Sequence, residues 1–185
     1  MLSNITFPDK IPFKNYFSAK DMFLVRADLL ENNQSFQSRV ASICNQTLIY
    51  QMLFQQRLKG LPYTKKDASD FINWAHAGWN KKTHFVFFII DGQHRLVGAT
   101  DIKSAELDNA EIGYWADINE PGNVTNAVRV LIETANATGF SKFTAYVRVV
   151  NKKSSRVLSR AGFEQSVDNK SREGFMCLER RITSV

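Results

Sequence analysis

Residues 111–140 read EIGYWADINEPGNVTNAVRVLIETANATGF, and they hold a strand, a loop and a helix in succession. The strand lies in AEIGYWAD (110–117), where β-branched and aromatic residues favour an extended chain. The helix lies in NVTNAVRVLIETANATG (123–139), with Asn123 or Thr125 as its N-cap and Gly139 as its stop. A short loop containing Pro121 and Gly122 joins them. A strand that runs into the open N-terminus of a helix makes an anion site from backbone N–H groups and the helix dipole. This loop carries no Lys or Arg and only one Gly, so it also reads as a plain Pro-Gly turn before a capped helix.

The flanking segments decide what this unit is part of. Upstream, THFVFFIIDGQHRLVGATDIKS (83–104) reads as two strands joined at Asp91-Gly92. Before it, TKKDASDFINWAHAGWN (64–80) opens with Thr64 and Asp67 in a capping-box arrangement. Phe71, Ile72, Trp74, Ala75 and Trp79 fall on one helical stripe. Residues 35–60 have helical spacing in two pieces, with Gly60 as stop, and MFLVRADLL (22–30) reads as a strand. Residues 1–20 show little periodicity and are taken as an N-terminal arm. Downstream, FSKFTAYVRVV (140–150) alternates as a strand. NKKSSRVLSRAG (151–162) is a short helix capped by Asn151, and FEQSV and GFMCLER form a hairpin around DNKSRE (168–173). Antiparallel strands followed by a strand-helix-strand crossover predict a mixed α/β sheet.

Bulk properties narrow the class. At 185 residues, 44% of them hydrophobic, the chain is ample for one packed domain spanning 1–185 and is not a disordered segment. The longest apolar run, Phe85 to Ile90, is far too short for a membrane helix, and the N-terminus has no signal-peptide layout. Cys44 and Cys177 lack metal-ligand spacing, so buried free thiols in a reducing cytoplasm are expected and no metal site. The net charge of +6 favours anionic partners or simply aids solubility; it is the sole motive for a minor rival reading, a basic nucleic-acid-binding α/β domain, for which the sequence carries no recognisable motif.

The phrases YTKKDASDFINWA, FVFFIIDGQHRLVGATDI, AEIGYWAD and NKKSSRVLSRAGF follow one another between about residues 45 and 165. In order and spacing they resemble the GCN5-related N-acetyltransferase (GNAT) superfamily, and most of all its RimJ/RimL-type branch, which acetylates protein N-terminal amines and small amines. The resemblance implies the GNAT acyl-CoA N-acyltransferase fold, of α/β (α+β) class, with a mixed central sheet, splayed strands and flanking helices. It implies acetyl-CoA as cosubstrate and an amine acceptor, and leaves a homodimer open.

The resemblance also assigns residues. The strand at 110–116 and the one at 142–149 would splay to admit the pantetheine arm, which pairs with exposed backbone at Ile112, Gly113, Tyr114 and Trp115. Backbone groups there satisfy an amide-containing arm and polarise a thioester carbonyl. The pyrophosphate would meet Gly122, Asn123, Val124, Thr125 and Asn126. The family pattern is Gln or Arg, two residues, Gly, one residue, then Gly or Ala. In NEPGNV (119–124), Asn119 and Val124 depart from it and only Gly122 fits; shifting the register instead places Gly122 on the last Gly. Asn151 would bond the pantetheine arm and also cap its helix, Ser154 would bond on the phosphate side, and Arg156 with Lys152 and Lys153 would supply positive charge.

For catalysis, Glu111 is the expected base, acting through water, or else a strand-face carboxylate satisfied by neighbouring cations. Tyr114 is a second catalytic candidate, with His84 and His94 behind it, while His76 reads as a packing residue. The position where many family members carry an acidic Tyr is Ser159. The expected function is acetyl transfer to a primary amine by direct attack; the alternative is a GNAT-fold domain of weak or no activity that binds CoA or a partner protein. On this reading a bulky residue at Gly122 or Asn151 weakens CoA binding more than folding.

Overall fold

Six apolar residues in a row, Phe85 to Ile90, leave a strand no face to give to water. In the computed structural model, which describes residues 5–167 and 172–182, this run becomes β3 (Phe85–Asp91), buried on both faces in the middle of one sheet. Beside it lie β2 (Asp21–Arg26) and β1 (Lys10–Lys14) on one side and β4 (Leu96–Ile102) on the other. Beyond β4 come β5 (Ala110–Ala116), β6 (Lys142–Arg148), β8 (Phe175–Arg181) and the two-residue β7 (Glu164–Gln165). Neighbours are antiparallel except β5 and β6, which are parallel and joined through α4 (Asn123–Ala137).

The helices cover both faces. On one, α1 (Gln34–Cys44) and α3 (Lys65–Lys81) pack together over β3 and β4. Between them α2 (Thr47–Ile49) runs on into a π-helical turn, Tyr50–Phe54. On the other face, α4 spans β1, β2, β4 and β5 and touches α5 (Lys152–Arg160). The capping box is formed: Thr64 Oγ1 accepts from the Asp67 N–H at 3.1 Å, and an Asp67 oxygen accepts from the Thr64 N–H at 2.8 Å. The α3 stripe buries Ile72, Ala75 and Trp79, whereas Trp74 is half exposed and stacks on the His84 ring.

Two expectations change. The first twenty residues are not a loose arm throughout, because Lys10–Lys14 is paired to β2 as an edge strand with Ile11 and Phe13 facing the core. Pro12 is tolerated there because an edge strand leaves one row of N–H positions without a ladder partner. The strand expected at 22–30 ends at Arg26, where a 3-10 turn, Ala27–Leu29, redirects the chain. The closing hairpin is present as β7 against β8, and residues 168–171 of its turn lie outside the described residues.

Candidate active site

Strands β5 and β6 pair only at Ala110 with Phe143 and Glu111 with Thr144, and then separate. The Lys103 N–H bonds the Glu111 carbonyl, so Glu111, Gly113 and Trp115 turn their backbone groups toward β4. By alternation, the N–H and C=O of Ile112 and Tyr114 turn toward the gap left by β6. The Glu111–Thr144 rung takes the Ile112 N–H, so the expected backbone set, Ile112 to Trp115, divides: the Ile112 C=O and the Tyr114 groups face the open gap, and the groups of Gly113 and Trp115 face β4.

A cavity of about 380 Å³ continues this gap toward the first turn of α4. Tyr114, Trp115, Gly122, Asn123, Val124, Thr125, Asn151, Ser154 and Arg156 all line it. Ile112 and Gly113 line a smaller one of about 100 Å³ in the gap itself, with Tyr114, Asn151 and Ser154 shared between the two. Asn126 lines neither; its side chain donates to the Lys14 carbonyl and belongs to the packing of α4 on β1.

The cap expected at Asn123 or Thr125 sits instead at Gly122, whose φ of 91° is left-handed. Asn123 and Thr125 are buried as part of the loop's frame. The frame is built from distant residues. Asn15, in the β1–β2 turn, donates to the Pro121 carbonyl at 3.0 Å and to Asn123 Oδ1 at 2.6 Å. The Tyr16 N–H bonds the Gly122 carbonyl at 2.9 Å. From α1 and just past its end, Arg39 and Gln46 hold Asp117 at 2.6 and 2.7 Å, and Gln46 also accepts from the Ile118 N–H. Burial would push the Asp117 carboxyl up, but the bonds from Gln46, the Asn119 N–H and Arg39 outweigh it and hold the carboxyl below the usual range. Asn15, Arg39 and Gln46, which frame the loop of the candidate site, were not singled out from the sequence. Only the Asn-X-X-Ser turn signature at Asn15, which accepts from the Phe17 and Ser18 N–H groups, is readable locally.

On the opposite wall, Asn151 caps α5 by accepting from the Ser154 N–H at 3.1 Å. Tyr114 crosses from β5 to the same helix, its hydroxyl 2.5 Å from Ser154 Oγ and 3.2 Å from the Ser154 carbonyl. Burial pushes this phenol well above its ordinary value, against the opposing hydrogen bond from Ser154, so it stays protonated. Lys153, Arg156 and Arg160 line the α5 side of the cavity and Glu120 the loop side, while Lys152 is exposed away from it. Ser159 is exposed and lines neither cavity.

Glu111 has both oxygens engaged, one by Lys103 at 2.7 Å and the other by Arg172 at 3.0 Å. It is the strand-face carboxylate satisfied by cations, and an amine would have to displace one of them. His76 bonds the Leu30 carbonyl, His84 bonds the Trp74 carbonyl, and His94 is exposed in the β3–β4 turn. Among the described residues no cluster of His, Cys, Asp and Glu could hold a metal, and no helix is long and apolar enough to cross a membrane.

A family model described as an acetyltransferase (GNAT) domain matches residues 39–164, more than half of the chain. Among solved structures, the chain is similar to a microcin self-immunity acetyltransferase in complex with acetyl-CoA and AMP, at 20% identity, over 87% of this chain and 92% of that one, with a TM-score of 0.68. It is similar to a ribosomal-protein-serine acetyltransferase assigned in Vibrio cholerae, at 15% identity over 96% and 100%, TM-score 0.68. It is also similar to Mycobacterium smegmatis RimJ in complex with a CoA disulfide, at 18% identity over 94% and 88%, TM-score 0.69. At these identities the likeness shows the fold. No curated protein matches the chain in sequence.

Proposed function

The chain belongs to the GNAT acetyltransferase family, and from that premise we propose that it transfers the acetyl group of acetyl-CoA to a primary amine by direct attack, the acceptor being a protein N-terminus or a small amine. Family membership brings acetyl-CoA as cosubstrate. The observation that carries the reading is the parting of β5 from β6 after Glu111, which leaves Ile112 and Tyr114 with backbone groups to offer an amide-containing arm.

Each wall then has a task. First-turn N–H groups of α4 lack intrahelical partners and can bind a pyrophosphate through the helix dipole. Lys153, Arg156 and Arg160 add charge-assisted donors for phosphate oxygens. The Tyr114 N–H polarises the thioester carbonyl, and its phenol, protonated and close to the gap, supplies a proton to the departing thiolate. Glu120 on the loop side, and Val124 where a small residue is usual, favour a second reading, a domain that binds CoA or a protein partner without turnover.

Calorimetric titration with acetyl-CoA, followed by thiol-release assays on peptides beginning with Ser or Ala and on a small polyamine, separates these readings. Binding with release supports the enzyme, binding without release supports the silent domain, and neither overturns both. Within the same experiment, Asn151→Ala is expected to cost about 1 kcal/mol of folding stability as a lost helix cap and to weaken acetyl-CoA binding at least fivefold. Unchanged affinity would leave Asn151 as a cap alone.

A further inference from the structure

Among the described residues, Asp101 Oδ1 is sealed from solvent and has no hydrogen-bond partner. Asp101 stands on β4 directly across from Gly113 on β5, the residue whose neighbours border the gap. Gly113 makes this possible by having no side chain. A Cβ there would lie 2.7 Å from Asp101 Oδ1 and 2.9 Å from Lys103 Cε, so a bare backbone gives the carboxylate its place. The Lys103 ammonium does not complete Asp101, because it bonds Glu111.

A sealed carboxylate oxygen without a donor is costly, and natural structures hold few such atoms. Charged and titratable groups stand near it. Lys103 lies just past the end of β4, Glu111 lies on β5, and His84 precedes β3. Arg172 pairs with Glu111 and stacks on Tyr146 of β6. Lys103, Gly113 and Tyr146 line the gap cavity, so this row borders the place where β5 leaves β6.

We propose that Asp101 receives the acceptor ammonium beside Gly113 and takes its proton, acting as the base that Glu111 was expected to be. The assignment rests on the acetyltransferase reading above. Asp101 takes one proton from the ammonium and leaves a neutral amine. The N–C bond then forms as the C–S bond breaks; the Tyr114 phenol gives its proton to the thiolate and is restored by the second nitrogen proton, giving amide and CoA thiol. The first proton passes from Asp101 to water. Burial raises the carboxyl above its usual range, with smaller opposing effects from Lys103 and the Gly113 N–H, which brings it closer to neutrality as a proton acceptor.

The sign of that shift supplies a control. A carboxyl raised by folding contributes stability below its unfolded pKa and loses it as pH rises through the folded value. Asp101→Asn, which removes the charge and keeps the shape, is therefore expected to melt at pH 8 no lower than wild type. Its acetyl-CoA affinity should stay within about twofold. With the Ser- and Ala-peptides its kcat/KM should fall at least about 100-fold, in the range of general-base catalysis. Its residual rate should climb with pH toward the α-amine pKa of about 8, while the wild-type profile levels off at lower pH. Glu111→Gln should lose less than about tenfold by comparison. Asp101→Asn within threefold of wild type, with the same pH profile, overturns the assignment. So does a wild type that binds acetyl-CoA and acetylates no amine. A wild type that does not bind acetyl-CoA overturns the acetyltransferase reading itself, and the assignment with it.

Discussion

Gly122→Ala is expected to destabilise the unliganded protein by about 3 kcal/mol and to weaken acetyl-CoA binding at least tenfold. The conformational part comes from φ, since a non-Gly residue held in the left-handed region costs about 1–3 kcal/mol. The steric part comes from Asn15. A Cβ on Gly122 would lie 2.4 Å from Asn15 Oδ1 and 2.9 Å from the Phe17 ring. That oxygen is not free to swing away, because it also accepts from the Phe17 and Ser18 N–H groups. Each bond lost in escaping costs about 1 kcal/mol. The expectation from sequence was that a bulky residue here weakens CoA binding more than folding, and the φ of Gly122 and the Asn15 contact add a substantial cost to folding itself. Thermal melting of the unliganded variant, beside acetyl-CoA calorimetry, decides between them. A melting temperature equal to wild type with weakened binding would show that the Asn15 contact is dispensable, and that the loop serves the ligand alone.

What could be read from the residues alone was local and periodic. The change from a 3.6 to a 2 period after residue 83 placed α3 and β3, and the Thr64–Asp67 capping box located the start of α3 because both halves of it lie within four positions. The stretch at 111–140 resolved into β5, loop and α4 for the same reason. KIPFK escaped because five residues with a central Pro carry too little alternation to stand out, and only pairing with β2 makes them a strand. The site was legible where it is backbone and hidden where it is partnership. Asn15 reaches a loop 106 positions away, which no spacing rule foresees. Glu111 read equally as a base or as a carboxylate satisfied by neighbouring cations, and only the fold puts Lys103 and Arg172 on it; Asp101 was not singled out, because its place across from Gly113 is set by strand register. Trp74 fell on the helical stripe of α3 yet pairs with His84 at its margin, because the stripe is wider than the surface it covers.

Asp117→Ala is expected to cost about 3 kcal/mol at pH 7, and much less under acid. The Asp117 side chain is 4% exposed and is held by Arg39, by Gln46 and by the Asn119 N–H. Removing it leaves three donors without their acceptor, and a buried pair broken from one side loses several kcal/mol. The pH dependence follows from the sign of its shift. Folding holds this carboxyl below its usual range, so its contribution is present above the unfolded pKa of about 3.9 and fades as pH falls through the native value. Urea unfolding at pH 7 and again near pH 3 should therefore show a wide gap between wild type and variant that narrows on acidification. An equal gap at both values would mean that shape, and not the carboxylate charge, holds the residue in place. The consequence reaches the active site, because Gln46 joins Asp117 to the Ile118 N–H at the start of the loop. With that tie weakened, the loop's anchor to α1 loosens and Asn15 and Tyr16 hold it from the other side, so acetyl-CoA affinity should fall with stability at pH 7. A variant that is destabilised yet binds acetyl-CoA as wild type does would show that Asn15 and Tyr16 set the loop without Asp117.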